Sequence, residues 1–97
     1  MGGISFTWDD GKARANRRKH GVSFEEAASA FSDENARLMY DQGHSDAEDR
    51  FVLLGLASSL RLVVVCHCYR DRDRVIRIIS ARKADRDEQS QYWSFLS

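Results

Sequence analysis

The sequence predicts a single α+β domain in which helices cover one face of a three- or four-stranded antiparallel sheet. Three observations carry this. The 97 residues are the length of one small domain. A Ser-x-x-Glu capping box opens an apolar stripe of helical period at Ser23. From Phe51 onward, runs rich in Val, Ile and Leu are broken by short polar turns, the pattern of an antiparallel meander.

Each element follows from local pattern. Ile4, Phe6 and Trp8 alternate with polar residues and form a short strand. Asp9 or Asp10 caps a helix over Gly11 to His20, and Gly21 suits the left-handed position that closes it. In the next helix Phe24, Ala27, Ala28 and Phe31 fall at i, i+3, i+4 and i+7 behind the box of Ser23 and Glu26. Ala36 to Tyr40 reads as a strand, and Gly43 to Asp49 as a polar, acidic loop. Phe51 to Ser58 and Leu60 to Tyr69 form a hairpin around a Ser-Ser turn; Arg70 to Arg74 is a charged turn and Val75 to Arg82 a further strand. A final helix begins at Asp85, with Glu88 three residues on, and carries Tyr92, Trp93 and Leu96.

Composition narrows the class. With 42% hydrophobic and 31% charged residues the chain is too apolar for a disordered segment and too charged for a membrane protein, and a domain of this size buries roughly 60 to 65% of its unfolded surface. No apolar stretch approaches the roughly 20 residues of a spanning helix, and Met1 to Phe6 has no apolar signal core, so cytoplasmic residence is expected. Cys66 and Cys68 sit two apart in a Val-rich strand, on one face at the limit of disulfide reach, while His67 between them points the other way. Free thiols are expected there in preference to zinc.

Fifteen basic and fifteen acidic residues cancel, yet the charge lies in blocks. Gly11 to Gly21 carries +5, Val22 to Asp49 carries −7 and Arg50 to Ala84 carries +6. Clustered basic charge draws a polyanion even where the total is nil. Arg70, Arg77 and Arg82 lie in or beside strands of Val and Ile, where a guanidinium needs a carboxylate such as Glu48, Asp71 or Asp73, or an anionic ligand. Regular alternation puts Arg77 and Arg82 on opposite faces unless a bulge intervenes, which favours Arg82 at the strand end beside Lys83.

The phosphate-cradling loop, the Gly-x-Ser-x-Gly elbow and His-Glu-x-x-His are all missing, which removes nucleotide hydrolysis and zinc proteolysis. His44 and Glu48 share a polar loop, and Arg50, Arg70, Arg82 and Lys83 are near in the chain. Cleaving RNA through its 2′-hydroxyl needs a base, an acid and cations for the charge growing on phosphorus. His44 or Glu48 can move the proton and the arginines can clamp the phosphate.

The residues also resemble a known family. Trp8-Asp9, Lys12-Ala13, Asn16, the block Lys19-His20-Gly21-Val22-Ser23-Phe24-Glu25-Glu26-Ala27, Phe31, Asp33, His44-Ser45, Glu48, Arg50 and the block Arg77-Ile78-Ile79-Ser80-Ala81-Arg82-Lys83-Ala84 are similar to the BrnT family of bacterial type II toxin–antitoxin systems. The resemblance runs from Phe6 to about Tyr92. It implies a RelE-like fold and a ribonuclease that arrests translation without a cofactor. It also implies neutralisation by a BrnA-like ribbon-helix-helix antitoxin, through which alone DNA is bound, in an assembly that is a pair or a dimer of pairs. On this reading Arg70 and Arg82 stabilise the phosphorane and His44 and Glu48 transfer or position protons. Lys12, Arg50, Arg77 and Lys83 hold phosphates. His20 reads as a packing and capping residue, Tyr69 and Tyr92 as possible base-stacking groups, and Trp8, Phe24, Phe31 and Trp93 as core. The alternative is a catalytically inactive module kept for its antitoxin and for operon repression. An independent DNA-binding role for the Lys12 to Lys19 helix is weaker, because it offers little beyond phosphate contact.

Overall fold

The computed structural model describes residues 3–44 and 48–96. In chain order it has β1 (Ser5–Thr7), α1 (Asp10–His20), α2 (Phe24–Ser29) running into a 3-10 turn (Ala30–Ser32), β2 (Arg37–Tyr40), a 3-10 turn (Gln42–His44), β3 (Phe51–Leu56), β4 (Leu62–Arg70), β5 (Val75–Lys83) and α3 (Arg86–Leu96). The strands form one five-stranded sheet in the order β1-β5-β4-β3-β2, mixed in sense. The expected three- or four-stranded antiparallel sheet is corrected here: β1 joins it as a fifth strand, parallel to β5 with Phe6 beside Ile76. Parallel pairing needs a long crossover, and everything from α1 to β4 supplies it.

Helix boundaries follow their caps. Asp9 accepts from the Lys12 amide at 2.9 Å and Gly21, at φ 70°, closes α1. Ser23 accepts from the Glu26 amide at 3.0 Å. Asp85 and Glu88 cap α3 reciprocally, each side chain accepting the other's backbone N–H at 2.8 Å.

One face of the sheet is packed. Val22, Phe24, Ala27 and Ala30 seal against Leu53, Val63, Val65, Ile76, Ile78 and Ala81, all buried, with Phe6, Trp8 and Phe31 at the margin. The 3-10 turn approaches β3 so closely that a Cβ on Gly55 would stand 3.0 Å from the Ala30 carbonyl oxygen. Asn16 fastens α1 to the edge of β5. Its amide donates to the Ala81 and Val22 carbonyls at 2.8 and 3.0 Å, and its oxygen accepts from the Ala81 N–H at 3.1 Å. His67 is wholly buried on this face, where Nδ1 lies 3.0 Å from the Val65 carbonyl. A carbonyl only accepts, so Nδ1 carries the proton and Nε2, 3.2 Å from Tyr69, accepts that hydroxyl. Burial holds the imidazole below its usual pKa, in keeping with a neutral ring.

The opposite face is covered at one end only. There α3 lays Tyr92 over Leu54, Leu62 and Val64, with Ala84. Tyr92 is 2% exposed and donates to Asp33 at 2.5 Å, so it belongs to the core and not to a base-stacking surface. Trp93 reverses the other aromatic expectation. It is 52% exposed, because the helix turns Tyr92 inward and leaves its neighbour in solvent. Among the described residues no helix is long and apolar enough to cross a membrane.

Candidate functional site

The uncovered end of that second face is where the strand arginines gather, and a β-bulge puts them there. Along β4, Val64 pairs with Arg82, Val65 with Ala81 and Cys66 with Ser80; after the register shift, His67 pairs with Ile78 and Cys68 with Arg77. Ile79 is the extra residue. Without it, Ile76 and Ile78 toward the packed face would force Arg82 to follow them. With it, Ala81 takes the packed face while Arg77 and Arg82 both turn to the open one. The bulge is the exception to regular alternation that the sequence leaves open, and Arg82 lies one residue inside the end of β5, next to Lys83.

The open face carries a groove of about 450 Å³ lined by His20, Asp41, Arg50, Val52, Val64, Cys66, Ile79, Ser80, Ala81, Arg82 and Glu88. Its floor is strand and its rims are the last residue of α1 and the first turn of α3. Arg82 makes a bidentate pair with Glu88, 2.8 Å at each contact, on a side chain that remains 44% exposed. The guanidinium pulls the Glu88 carboxyl below its usual range and is itself raised by that carboxylate. Glu88 thus joins the first turn of α3 to the end of β5 while occupying a fork suited to phosphate. Burial pushes the Cys66 thiol up, against the nearby charge of Arg50.

Further along β4, Arg70 meets Glu48 at 3.1 and 3.3 Å, and the Cys68 thiol lies 3.5 Å from the same carboxylate. Of the partners offered by sequence, Glu48 is the one Arg70 takes. Arg77 stands beside Cys68 on this face, half-buried and outside the groove lining.

The predicted site residues divide accordingly. Arg50 and Arg82 line the groove, and Arg70, Arg77 and Glu48 flank it. Lys12 is exposed in the first turn of α1 and Lys83 lines a separate hollow with Leu60, Arg61, Gln89 and Trp93, so neither is brought to the groove. Residue 44 ends a 3-10 turn, but the His44 side chain lies outside the described residues, as does Ser45. His20, Ser80 and Glu88 are the additions. His20 was expected to pack and cap; it instead lines the groove, because Asn16 pins α1 so that its final turn overlooks Ser80 and Arg82. Its place in the Lys-His-Gly-Val-Ser-Phe block was the available signal. Cys66 and Cys68 are free thiols, and no group of three or more metal-ligating side chains occurs among the described residues.

The chain is thus an α+β domain with a mixed sheet, whose open face presents several arginines in and around a groove between helix ends. A family model described as "Ribonuclease toxin, BrnT, of type II toxin-antitoxin system" matches residues 8–88, and the chain belongs to that family of ribonuclease toxins. The fold is similar to that in the 1.1 Å crystal structure of the Brucella abortus ribonuclease toxin BrnT, with a TM-score of 0.66 and 22% sequence identity over 86% of this chain and 99% of that one. A search of curated proteins found no match.

Proposed function

We propose that this domain is a RelE-like, metal-independent endoribonuclease that cuts RNA in the groove of the open sheet face and so arrests translation in the cytoplasm. The observation that carries the reading is the bulge at Ile79, which turns Arg77 and Arg82 to one face and sets Arg82 in a groove with His20, Arg50 and Ser80. The 2′-oxygen attacks phosphorus and the 5′-oxygen leaves with a proton, giving a 2′,3′-cyclic phosphate and a 5′-hydroxyl. Arg82 and Arg50 neutralise the charge that grows on the phosphoryl oxygens, and Arg70 and Arg77 hold a neighbouring phosphate. RNA phosphate replaces Glu88 on Arg82, so a carboxylate fills the fork in the free protein.

Proton transfer falls to His20, the one imidazole among the described groove residues. Glu48 orients Arg70, and His44 on the same loop positions RNA. Lys12 and Lys83 contribute only long-range attraction. The partner is a BrnA-like ribbon-helix-helix antitoxin that blocks the toxin and carries the complex to DNA, as one pair or a dimer of pairs.

Expression of the chain without an antitoxin tests the proposal. Wild type is expected to stop growth and degrade RNA, while Arg82→Ala grows normally with intact RNA at the same protein level. RNA loss at the wild-type rate in Arg82→Ala contradicts the assignment. Harmless expression of the wild type replaces it with the inactive binding module.

A further inference from the structure

β2 is an edge strand, and it lacks the usual protection. Leu38, Met39 and Tyr40, three of its four residues, are 51%, 42% and 48% exposed, and β2 stands at the end of the sheet with its outer edge unpaired among the described residues. Edge strands are ordinarily blunted by lysine, proline or a covering loop. The fourth residue, Arg37, holds its guanidinium 4.6 Å over the Phe95 ring of α3, itself 67% exposed, so the apolar surface continues around the edge.

On the packed-face side of the strand lies a second hollow of about 400 Å³, lined by Leu38, Phe51, Tyr69, Asp49 and Asp73, with Glu48 at its border, where Arg70 already holds the carboxylate. Tyr40 packs edge-on against Phe51 and donates to Asp49 at 2.9 Å, which fixes the aromatic wall. An apolar floor beside Asp49 and Asp73 fits an aliphatic stem ending in a cation and repels a phosphate backbone. RNA is therefore disfavoured here.

A second copy of the chain is disfavoured for the same reason. β2 lies within the segment Val22 to Asp49, which carries −7, and pairing two such edges would set those blocks side by side.

We infer that the β2 edge together with this acidic hollow docks an extended segment of a protein partner, which adds as a sixth strand with apolar side chains over Leu38 and Tyr40 and a Lys or Arg between Asp49 and Asp73. Main-chain hydrogen bonds along the edge give the affinity and the alternate side chains give the specificity. The inference rests on the toxin–antitoxin reading for the identity of that partner, the antitoxin. The docking edge lies on the far side of β3 and β4 from β5 and Arg82, so the segment binds beside the RNA face without filling it.

The test is complex formation between the purified chain and the antitoxin encoded beside its gene, with hydrogen exchange read along β2. Leu38→Lys places a like charge against the basic segment and is expected to weaken the complex at least tenfold, with RNA cleavage unchanged. Leu60→Lys, at a still more exposed leucine in the β3–β4 turn, leaves binding intact, and the amides of residues 37–40 slow their exchange in the wild-type complex. A wild-type complex that Leu38→Lys forms equally well, or that leaves the 37–40 amides unprotected, overturns the docking site alone. A change in RNA affinity without one in antitoxin affinity reassigns the edge to RNA and overturns it as well. Failure of the wild type to bind the antitoxin at all removes the toxin–antitoxin reading and the docking site with it.

Discussion

The two faces of the sheet are built from the same strands by opposite rules. Toward α1 and α2 every inward residue is apolar or fully satisfied. Even the buried polar groups His67 and Asn16 have partners for their donors and acceptors. Toward the other side, α3 covers Leu54, Leu62 and Val64 and then stops, leaving Cys66, Ser80, Arg82 and Arg77 along the remaining surface. One extra residue, Ile79, separates the two regimes, because it lets Ala81 serve the packed face while both arginines serve the open one. On the proposed function, stability and chemistry fall on opposite sides of β5, which makes the division testable.

Substitutions on the open face should touch activity and spare stability. Arg82→Ala is expected to lower the cleavage rate roughly 10² to 10³-fold, the usual loss when one preorganised group that meets transition-state charge is removed. The exposed pair with Glu88 should cost only about 0 to 1 kcal/mol of stability, read by urea unfolding. On the packed face the effects invert. Phe24→Ala, at a fully buried side chain, should cost about 3 to 5 kcal/mol. Whatever protein remains folded should cleave at nearly the wild-type rate.

A smaller effect probes the buried contact of Tyr92 with Asp33, which ties α3 to the core. Burial, with Asp33 beside it, pushes the Tyr92 hydroxyl up to about 12. The unfolded chain releases that proton near pH 10 and the folded chain keeps it. Stability from this contact is therefore intact below pH 10 and lost between pH 10 and about 12, with a slope of at most about 1.4 kcal/mol per pH unit. Tyr92→Phe should abolish that part of the alkaline slope in unfolding curves measured across the range.

The packed face was the more legible in sequence. The capping box at Ser23 marks where α2 begins, and the stripe Phe24, Ala27, Ala28, Phe31 and the strands from Phe51 onward express periods of 3.6 or 2 that state what they bury. The open face has no such period. A bulge is a break in alternation that costs one residue and leaves no composition signal, so Arg77 and Arg82 read as facing apart. His20 read as a cap because its role depends on where α1 docks, a tertiary contact made by Asn16 with a strand 65 residues away. β1 reads as a strand, but its parallel pairing with β5 depends on the whole crossover. The charge blocks were visible and partly separate in space: the acidic segment holds α2 and the β2 edge, while Glu26 and Glu48 cross over to pair with Arg61 and Arg70.

The division of labour between the faces is tested most directly by mapping bound RNA. A short 2′-O-methyl oligoribonucleotide lacks the attacking hydroxyl and stays uncut, so its footprint can be read by amide chemical-shift changes in the labelled protein. The account predicts shifts at His20, Arg50, Cys66 and Ser80 to Arg82, with smaller ones at Arg70 and Arg77. Shifts confined to the exposed basic residues of α1, from Lys12 to Lys19, with the groove unmoved, would contradict it.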